Sequence, residues 1–426
     1  MRMENGFSRR DFLKSTAAAA MLAGTSAMLV GQGVHAAGSD VIRIGVIGCG
    51  GRGTGAAKDC IAAAGDKIKI VALGDLFQDR VDGCLNSLND NPDIKKHVDI
   101  PKGRCFVGFN AYKSVINCGV DMVILAAPPG FRPTHFDAAV KAGKHVFMEK
   151  PVAVDGPGVR MVISAGELAA QKKLGVVAGT QRRHQKSYIE TMKRIHDGAL
   201  GDIVGGQCYW NQGGLWNHAR KPEWTDMEWQ CRNWLYFTWL SGDHICEQHV
   251  HNIDVINWAF QNHPEKAVGM GGREVRTDPA FGNIFDHFAI DYVYPGDVHI
   301  MSMCRQIDGC ANNVSERIIG QKGHSNCGGA IFGDDPWRFE GDNPSPYMME
   351  QKDLIDSIRA GNPINEAKTV AESCLTAIMG RMSAYTGQEI TWDMALNSKE
   401  DLTPAKLELG SLPVAPIAAP GQTKFF

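Results

Sequence analysis

Neither charge dominates this chain, which carries 44 Lys and Arg against 47 Asp and Glu. Without a basic excess there is no electrostatic footprint for nucleic acid and no polybasic membrane patch. The twelve cysteines form no C-x-x-C framework, which argues against a disulfide scaffold. Scattered through apolar and glycine-rich segments, they are expected as buried thiols with few or no disulfides. There is also no long unbroken apolar run. The apolar stretch over residues 15–30 is interrupted by Gly24, Thr25 and Ser26, short of the roughly 20 residues a membrane span needs. No internal repeat is visible. What remains is the composition of a globular enzyme, long enough for two domains.

From residue 41 to about 152, short β-branched runs alternate with helical stretches. Residues 41–47 (VIRIGVI), 68–73 (IKIVAL), 122–127 (MVILAA), 145–148 (HVFM) and 176–179 (VVAG) read as strands. Apolar strands alternating with helices imply a doubly wound parallel sheet. Beyond about 188 the period shortens to two, as in 288–294 (FAIDYVY) and 299–303 (HIMSM), which predicts a large, open, mostly antiparallel sheet with further strands at 203–210 and 267–275. The expected fold is therefore α/β, with a Rossmann domain over 37–187 and a second α/β domain over 188–395. Helical spacing within 347–385 allows those helices to pack back on the first domain. A proline- and alanine-rich tail follows over 396–426.

Gly48-Cys49-Gly50-Gly51-Arg52-Gly53 follows the first strand and opens a helix, the context in which G-x-G-x-x-G reads as a dinucleotide site. Glycines let the backbone approach a pyrophosphate, and the helix-terminal N–H groups bind its charge. Asp75, at the end of the second strand, is placed to accept from a ribose hydroxyl and to repel a 2′-phosphate, which favours NAD over NADP. Arg52 stands open between a phosphate contact and a solvated loop residue. Glu149-Lys150-Pro151 falls at the carboxyl edge of the sheet, where ligands bind in such folds. A lysine beside a cationic ring and partly out of water is suited to taking and giving a proton near neutrality.

With these residues the chain resembles the glucose–fructose oxidoreductase/inositol dehydrogenase family (Gfo/Idh/MocA) over nearly all of the part after the first forty residues. The resemblance rests on residues 48–53, Asp75, Ala127-Pro128-Pro129 with His135, Ala142-Gly143-Lys144-His145-Val146 leading to Glu149-Lys150-Pro151, Gly380-Arg381, and 386–392. It implies NAD(P)-dependent redox chemistry at a carbohydrate or polyol hydroxyl. It also implies Glu149 near the nicotinamide ribose, Lys150 at the substrate hydroxyl, and a second-domain sheet that often joins subunits as a dimer or tetramer. Cys49, Ala127, Pro128 and His135 are carried over as cofactor-side residues.

The family pattern Asp-x-Gly-x-His-x-x-Asp meets this chain at residues 247–254, with Glu247 in place of the Asp and His249 in place of the Gly. Read as one helix, residues 244, 247, 251, 254 and 258 share a face. His251 is expected to work with Lys150, with Glu247 beside it and Asp254 on the substrate side; His249 stands open between an added acid–base group and a structural residue. The His and Glu spacing matches no zinc-protease motif, and no metal is expected. Six tryptophans lie within 210–239. Among them, Trp210 and Trp234 are candidates to stack on a sugar face, an apolar packing role being the alternative. Gln181-Arg182-Arg183-His184 follows the strand at 176–179, where one of these residues is expected to face cofactor or substrate. Gln181 is taken for the cofactor and Arg182 for the substrate, the others being ordinary surface charges.

One feature sits awkwardly with a nicotinamide enzyme. Ser8-Arg9-Arg10-Asp11-Phe12-Leu13-Lys14 ahead of the apolar stretch, ending in small residues near Ala36, is the twin-arginine export pattern. No cysteine precedes Cys49, so a lipid anchor lacks support. The expectation is a periplasmic or otherwise exported protein, cleaved near Ala36. Because this route carries folded proteins, a cofactor can be loaded beforehand, held, and regenerated within each cycle. Three readings stand: a sugar or polyol dehydrogenase or sugar–sugar oxidoreductase, an NAD-dependent glycosidase, and a binding protein that keeps the nucleotide structurally. The intact Glu149-Lys150-Pro151 disfavours the last.

Overall fold

The computed structural model describes residues 41–425; the export signal expected over 1–36 and the cleavage expected near Ala36 lie outside the described residues. Six strands form the first sheet: β1 (Ile42–Ile47), β2 (Ile68–Asp75), β3 (Cys105–Val107), β4 (Met122–Leu125), β5 (His145–Met148) and β6 (Val176–Ala178). Their order is β3-β2-β1-β4-β5-β6 and every pairing is parallel. Central strands such as β4, buried along its whole length, have helices on both faces and so read as unbroken apolar runs. The order reverses between β1 and β4, opening a crevice at their carboxyl ends.

The second sheet has nine strands: β7 (Ile203–Gln212), β8 (Lys266–Gly272), β9 (His287–Tyr294), β10 (Val298–Gln306), β11 (Asn313–Gly320), β12 (Gly323–Ser325), β13 (Ala330–Gly333), β14 (Trp337–Arg338) and β15 (Ile390–Thr391). They run β14-β13-β12-β11-β7-β10-β9-β8-β15, antiparallel except for the β7–β10 pair. Alternation decides the faces. In β10, Ile300, Ser302 and Cys304 are buried while Met301 and Met303 are exposed. The inner face packs on the helices Val250–Phe260 and Ala367–Thr386. The other face leaves Val268, Met270, Met301 and Met303 open.

The helix Pro346–Arg359 lies against Gly51–Ala64 and inserts Leu354, Ile355 and Ile358 into the core formed by Ile44, Val46, Ala57 and Ile61. The half built on the six-stranded sheet is thus completed by residues far along the chain. The stretch read as one helix from 244 to 258 is instead two pieces, His244–Glu247 and Val250–Phe260. The common face expected for residues 244, 247, 251, 254 and 258 therefore does not exist. Beyond Trp392–Asn397 the chain is irregular to residue 425. All twelve cysteines are free. No helix among the described residues is long and apolar enough to cross a membrane.

His184, just beyond β6, ties the halves together: its Nδ1 is 2.7 Å from Asp353 and its Nε2 3.2 Å from Glu366. Burial opposes its charge, but the two carboxylates prevail and hold it up at about 10. A folded value above the unfolded 6.5 means that this stabilisation is complete below about pH 6.5 and is lost as pH rises through about 10. Urea unfolding is expected to show stability declining from about pH 7 to 10, and a flatter decline in His184→Gln. An unchanged slope in the variant would place the linkage elsewhere.

Candidate active site

The glycine turn is tight behind and open in front. A Cβ on Gly53 would lie 1.8 Å from the Gly48 carbonyl oxygen, and one on Gly48, at φ +95°, would lie 2.2 Å from the Ala127 nitrogen. At Gly50 and Gly51 the same test meets nothing within 4 Å. They border a cavity of about 500 Å³, whose walls also include Arg52, Asp75, Ala127, Pro128 and His135. The helix Gly51–Ala64 starts at this wall with no acidic residue in its first turn, so its N-terminal dipole and free N–H groups favour an anion there. A dinucleotide's pyrophosphate fits this turn.

Asp75 closes the same corner. One carboxylate oxygen accepts from Cys49 N at 2.7 Å, the other from Phe77 N at 3.0 Å. Burial pushes this carboxyl up, and those N–H donors partly pull it back. Cys49 faces inward: its N–H is spent on Asp75, and its thiol is buried near the Gly74 carbonyl oxygen. Arg52 is neither free for phosphate nor merely solvated. Its guanidinium binds Glu149, Glu350 at 3.0 Å and Asp59 at 3.2 Å; burial disfavours its charge, but these carboxylates keep it firmly protonated. His135 is a wall rather than a titrating group. It stacks on Tyr112 at 4.2 Å, and burial drives it down to about 3.

At the carboxyl end of β5, Lys150 Nζ donates to the Glu247 carbonyl oxygen at 2.5 Å and to its Oε1 at 3.2 Å. Glu247 Oε2 is buried with no hydrogen-bond partner among the described residues, as is His251 Nδ1. Burial, reinforced by the cations of Lys150, Arg182 and Arg52, holds His251 well below its ordinary range and therefore neutral. Its ring stacks on Trp210 at 5.7 Å. Trp210 in turn faces the Arg182 guanidinium at 5.8 Å, and Arg182 is ion-paired with Glu316. Lys150, Glu247, His251, Trp210 and Arg182 are thus brought together. Buried polar atoms left open beside an amine are what a polyhydroxylated substrate would satisfy.

Other candidates do not converge there. His249 turns to the sheet, 2.7 Å from Ser302 Oγ and 3.7 Å from Cys208 Sγ, and burial drives it down to about 3. That interior packing fits the structural alternative. Asp254 is taken up by Arg183 and by Ser373 Oγ at 2.7 Å, not by the Lys150 group. Trp234 lies on the nucleotide cavity with Trp216 and His218. Gln181 sits by Tyr347, 3.4 Å from its hydroxyl, and that tyrosine's ring covers Arg52 at 4.9 Å. Glu350 and Tyr347 were missed from sequence. Glu350 had a signal: it shares the buried helical face of Leu354, Ile355 and Ile358, where an unpaired acid would be costly. No group of three or more His, Cys, Asp or Glu among the described residues could hold a metal.

Comparison with known proteins agrees with this geometry. Residues 42–180 match the family model described as oxidoreductase family, NAD-binding Rossmann fold (GFO_IDH_MocA). An inositol 2-dehydrogenase/D-chiro-inositol 3-dehydrogenase from Halalkalibacterium halodurans is 26% identical over 227 residues, 53% of this chain and 54% of that protein. A 2,7-anhydro-N-acetylneuraminate hydratase from Escherichia coli is 28% identical over 178 residues, 41% of this chain and 43% of that one. The chain thus matches about half the length of these curated relatives. The solved scyllo-inositol dehydrogenase from Lactobacillus casei, with bound NAD(H) and scyllo-inositol, superimposes with a TM-score of 0.62 at 19% identity, covering 83% of this chain and 99% of that one. That likeness extends the shared fold over both sheets. Over residues 42–180 the chain is thus similar to the NAD-binding Rossmann domain of the Gfo/Idh/MocA oxidoreductase family.

Proposed function

We propose that this protein is an NAD-dependent oxidoreductase acting on a hydroxyl of a sugar, glycoside or polyol, exported by the twin-arginine route with its nucleotide held and recycled. The observation that carries this reading is the Lys150 amine clamped to Glu247 beside a neutral His251. When bound, NAD supplies the acceptor for the hydrogen and electron pair leaving the carbinol carbon. Lys150 Nζ passes a proton to Glu247 Oε1 at 3.2 Å, and the amine so freed takes the hydroxyl proton. The neutral His251 orients the same hydroxyl by hydrogen bonding, and Trp210 offers its indole face to the sugar ring. Asp75 favours NAD over NADP, because a 2′-phosphate would meet its carboxylate. The names of the inositol-dehydrogenase relatives support a polyol or carbohydrate substrate.

A second reading is an NAD-dependent glycosidase working by oxidation, elimination, hydration and reduction. Glu247 favours it, as a further acid–base group beside Lys150, and a relative named as a hydratase supports water chemistry on a sugar acid framework. Both readings share a redox cycle that needs no free nucleotide pool. The test is to denature the purified protein, identify any released nucleotide by mass spectrometry, and incubate the native protein with p-nitrophenyl glycosides. Nitrophenol without net NADH selects the glycosidase; a reduced nucleotide or a reduced second sugar selects the oxidoreductase; absence of bound nucleotide and of both activities sinks the proposal. A homo-oligomer joined through the open face of the nine-stranded sheet is part of the proposal, supported by its exposed Val268, Met270, Met301 and Met303. A monomeric mass by light scattering would overturn that part.

A further inference from the structure

We infer that residues 213–240, which belong to the second half of the chain, form a strap over the adenosine end of the nucleotide site and hold the dinucleotide there by ring stacking. This rests on the reading that the cavity takes NAD. Trp216, His218 and Trp234 line the same cavity as Asp75, Phe77 and Arg80, whereas Lys150 is not among its walls and follows β5, separated by β1 and β4 from the β2 that ends at Asp75. Trp216 is 42% exposed although His218 lies 4.9 Å and Trp234 6.3 Å from its ring. An indole left open on a cavity wall is suited to a flat heteroaromatic ring such as adenine, which stacks on aromatic side chains.

The strap is fastened to the nucleotide half. Arg232 grips Asp79 through two hydrogen bonds of 3.1 and 3.0 Å, and its guanidinium lies 3.9 Å over the Phe77 ring. Trp229, Tyr236, Phe237 and Leu240 form a small core against which Leu76, Phe77, Phe109 and Phe131 of the nucleotide half pack. Inside the strap, Asn233 accepts from His218 N at 2.7 Å and donates to the His218 carbonyl oxygen at 2.9 Å, which fixes the imidazole-bearing turn. From outside, the tail seals it: Leu412 N donates to Asp226 at 3.1 Å, and Gln230 donates to the Leu412 carbonyl oxygen at 2.7 Å. A nucleotide beneath this wall leaves only by breaking its stack on Trp216 or by detaching the strap.

The test uses the full-length protein loaded with 1,N6-etheno-NAD, whose adenine fluoresces, and follows its release after dilution into excess unlabelled NAD. Trp216→Ala is expected to release the label about 5- to 150-fold faster, the span of one lost base–aromatic stack, while Trp216→Phe stays near the parent rate. Thermal melting of both variants checks that the fold is kept. Nicotinamide mononucleotide, which lacks the adenosine, should bind parent and Trp216→Ala alike. Equal release rates in parent and Trp216→Ala would overturn the strap, as would equal weakening of the mononucleotide. A parent that binds neither nucleotide fails at the earlier step, the NAD reading itself.

Discussion

Lys150→Ala is expected to lower turnover by about 10²- to 10⁴-fold, the usual contribution of a positioned acid–base group, while the protein keeps its nucleotide. The separation follows from the geometry. Lys150 spends its hydrogen bonds on Glu247, from the second half of the chain, whereas the nucleotide corner is built by the glycine turn and Asp75. Removing the amine leaves Glu247 a buried carboxylate without its cation, so some loss of stability accompanies the loss of activity. Lys150→Ala/Glu247→Gln should recover stability without recovering turnover. Mass spectrometry of the released nucleotide and steady-state rates on the same preparation check both halves of the expectation. Undiminished turnover in Lys150→Ala would remove the amine from the mechanism.

Asp254→Ala should cost stability rather than chemistry. Its carboxylate is 1% exposed and is gripped by Arg183 Nε and Nη2 at 2.8 and 2.9 Å, with Ser373 Oγ as a third donor. Truncating one partner of a buried ion pair strands the other, typically at a cost of 3–5 kcal/mol. Arg183 lines a second, polar cavity and so has a way toward water, which places the expected loss toward the lower end, about 3 kcal/mol. Urea unfolding measures it, and turnover per folded molecule should change little. If stability held while turnover collapsed, Asp254 would belong with the substrate, as its motif position first suggested.

The features legible in the sequence are those whose reasons are local. The glycine turn, Asp75 and Lys150 each sit at the end of a strand whose apolar run marks it, and that placement carries them to one edge of the sheet. The readings that failed depended on distant partners. The break at Gln248 and His249 is hidden from helical periodicity, because His249 answers to Ser302 and Cys208 on the sheet. Likewise, six tryptophans within thirty residues show that an aromatic wall exists without showing which cavity it faces. Trp210 went to His251 and Arg182, Trp216 and Trp234 to the cavity beside the glycine turn, and Trp229 to a core with Phe237. Arg52 tells the same story: its charge was plain, but its partners Glu149 and Glu350 lie far along the chain.

The helix Pro346–Arg359 adds a constraint in time. A ribosome delivers the six parallel strands first, yet the apolar positions of β1 and the helix after it wait for Leu354, Ile355 and Ile358 to emerge. Arg52 waits equally for Glu350. Vectorial synthesis therefore leaves the nucleotide half unfinished until most of the chain has been made, when its order of assembly is no longer its order of birth. The glycine turn and the helix behind it thus gain their last neighbours only after residue 358 has emerged.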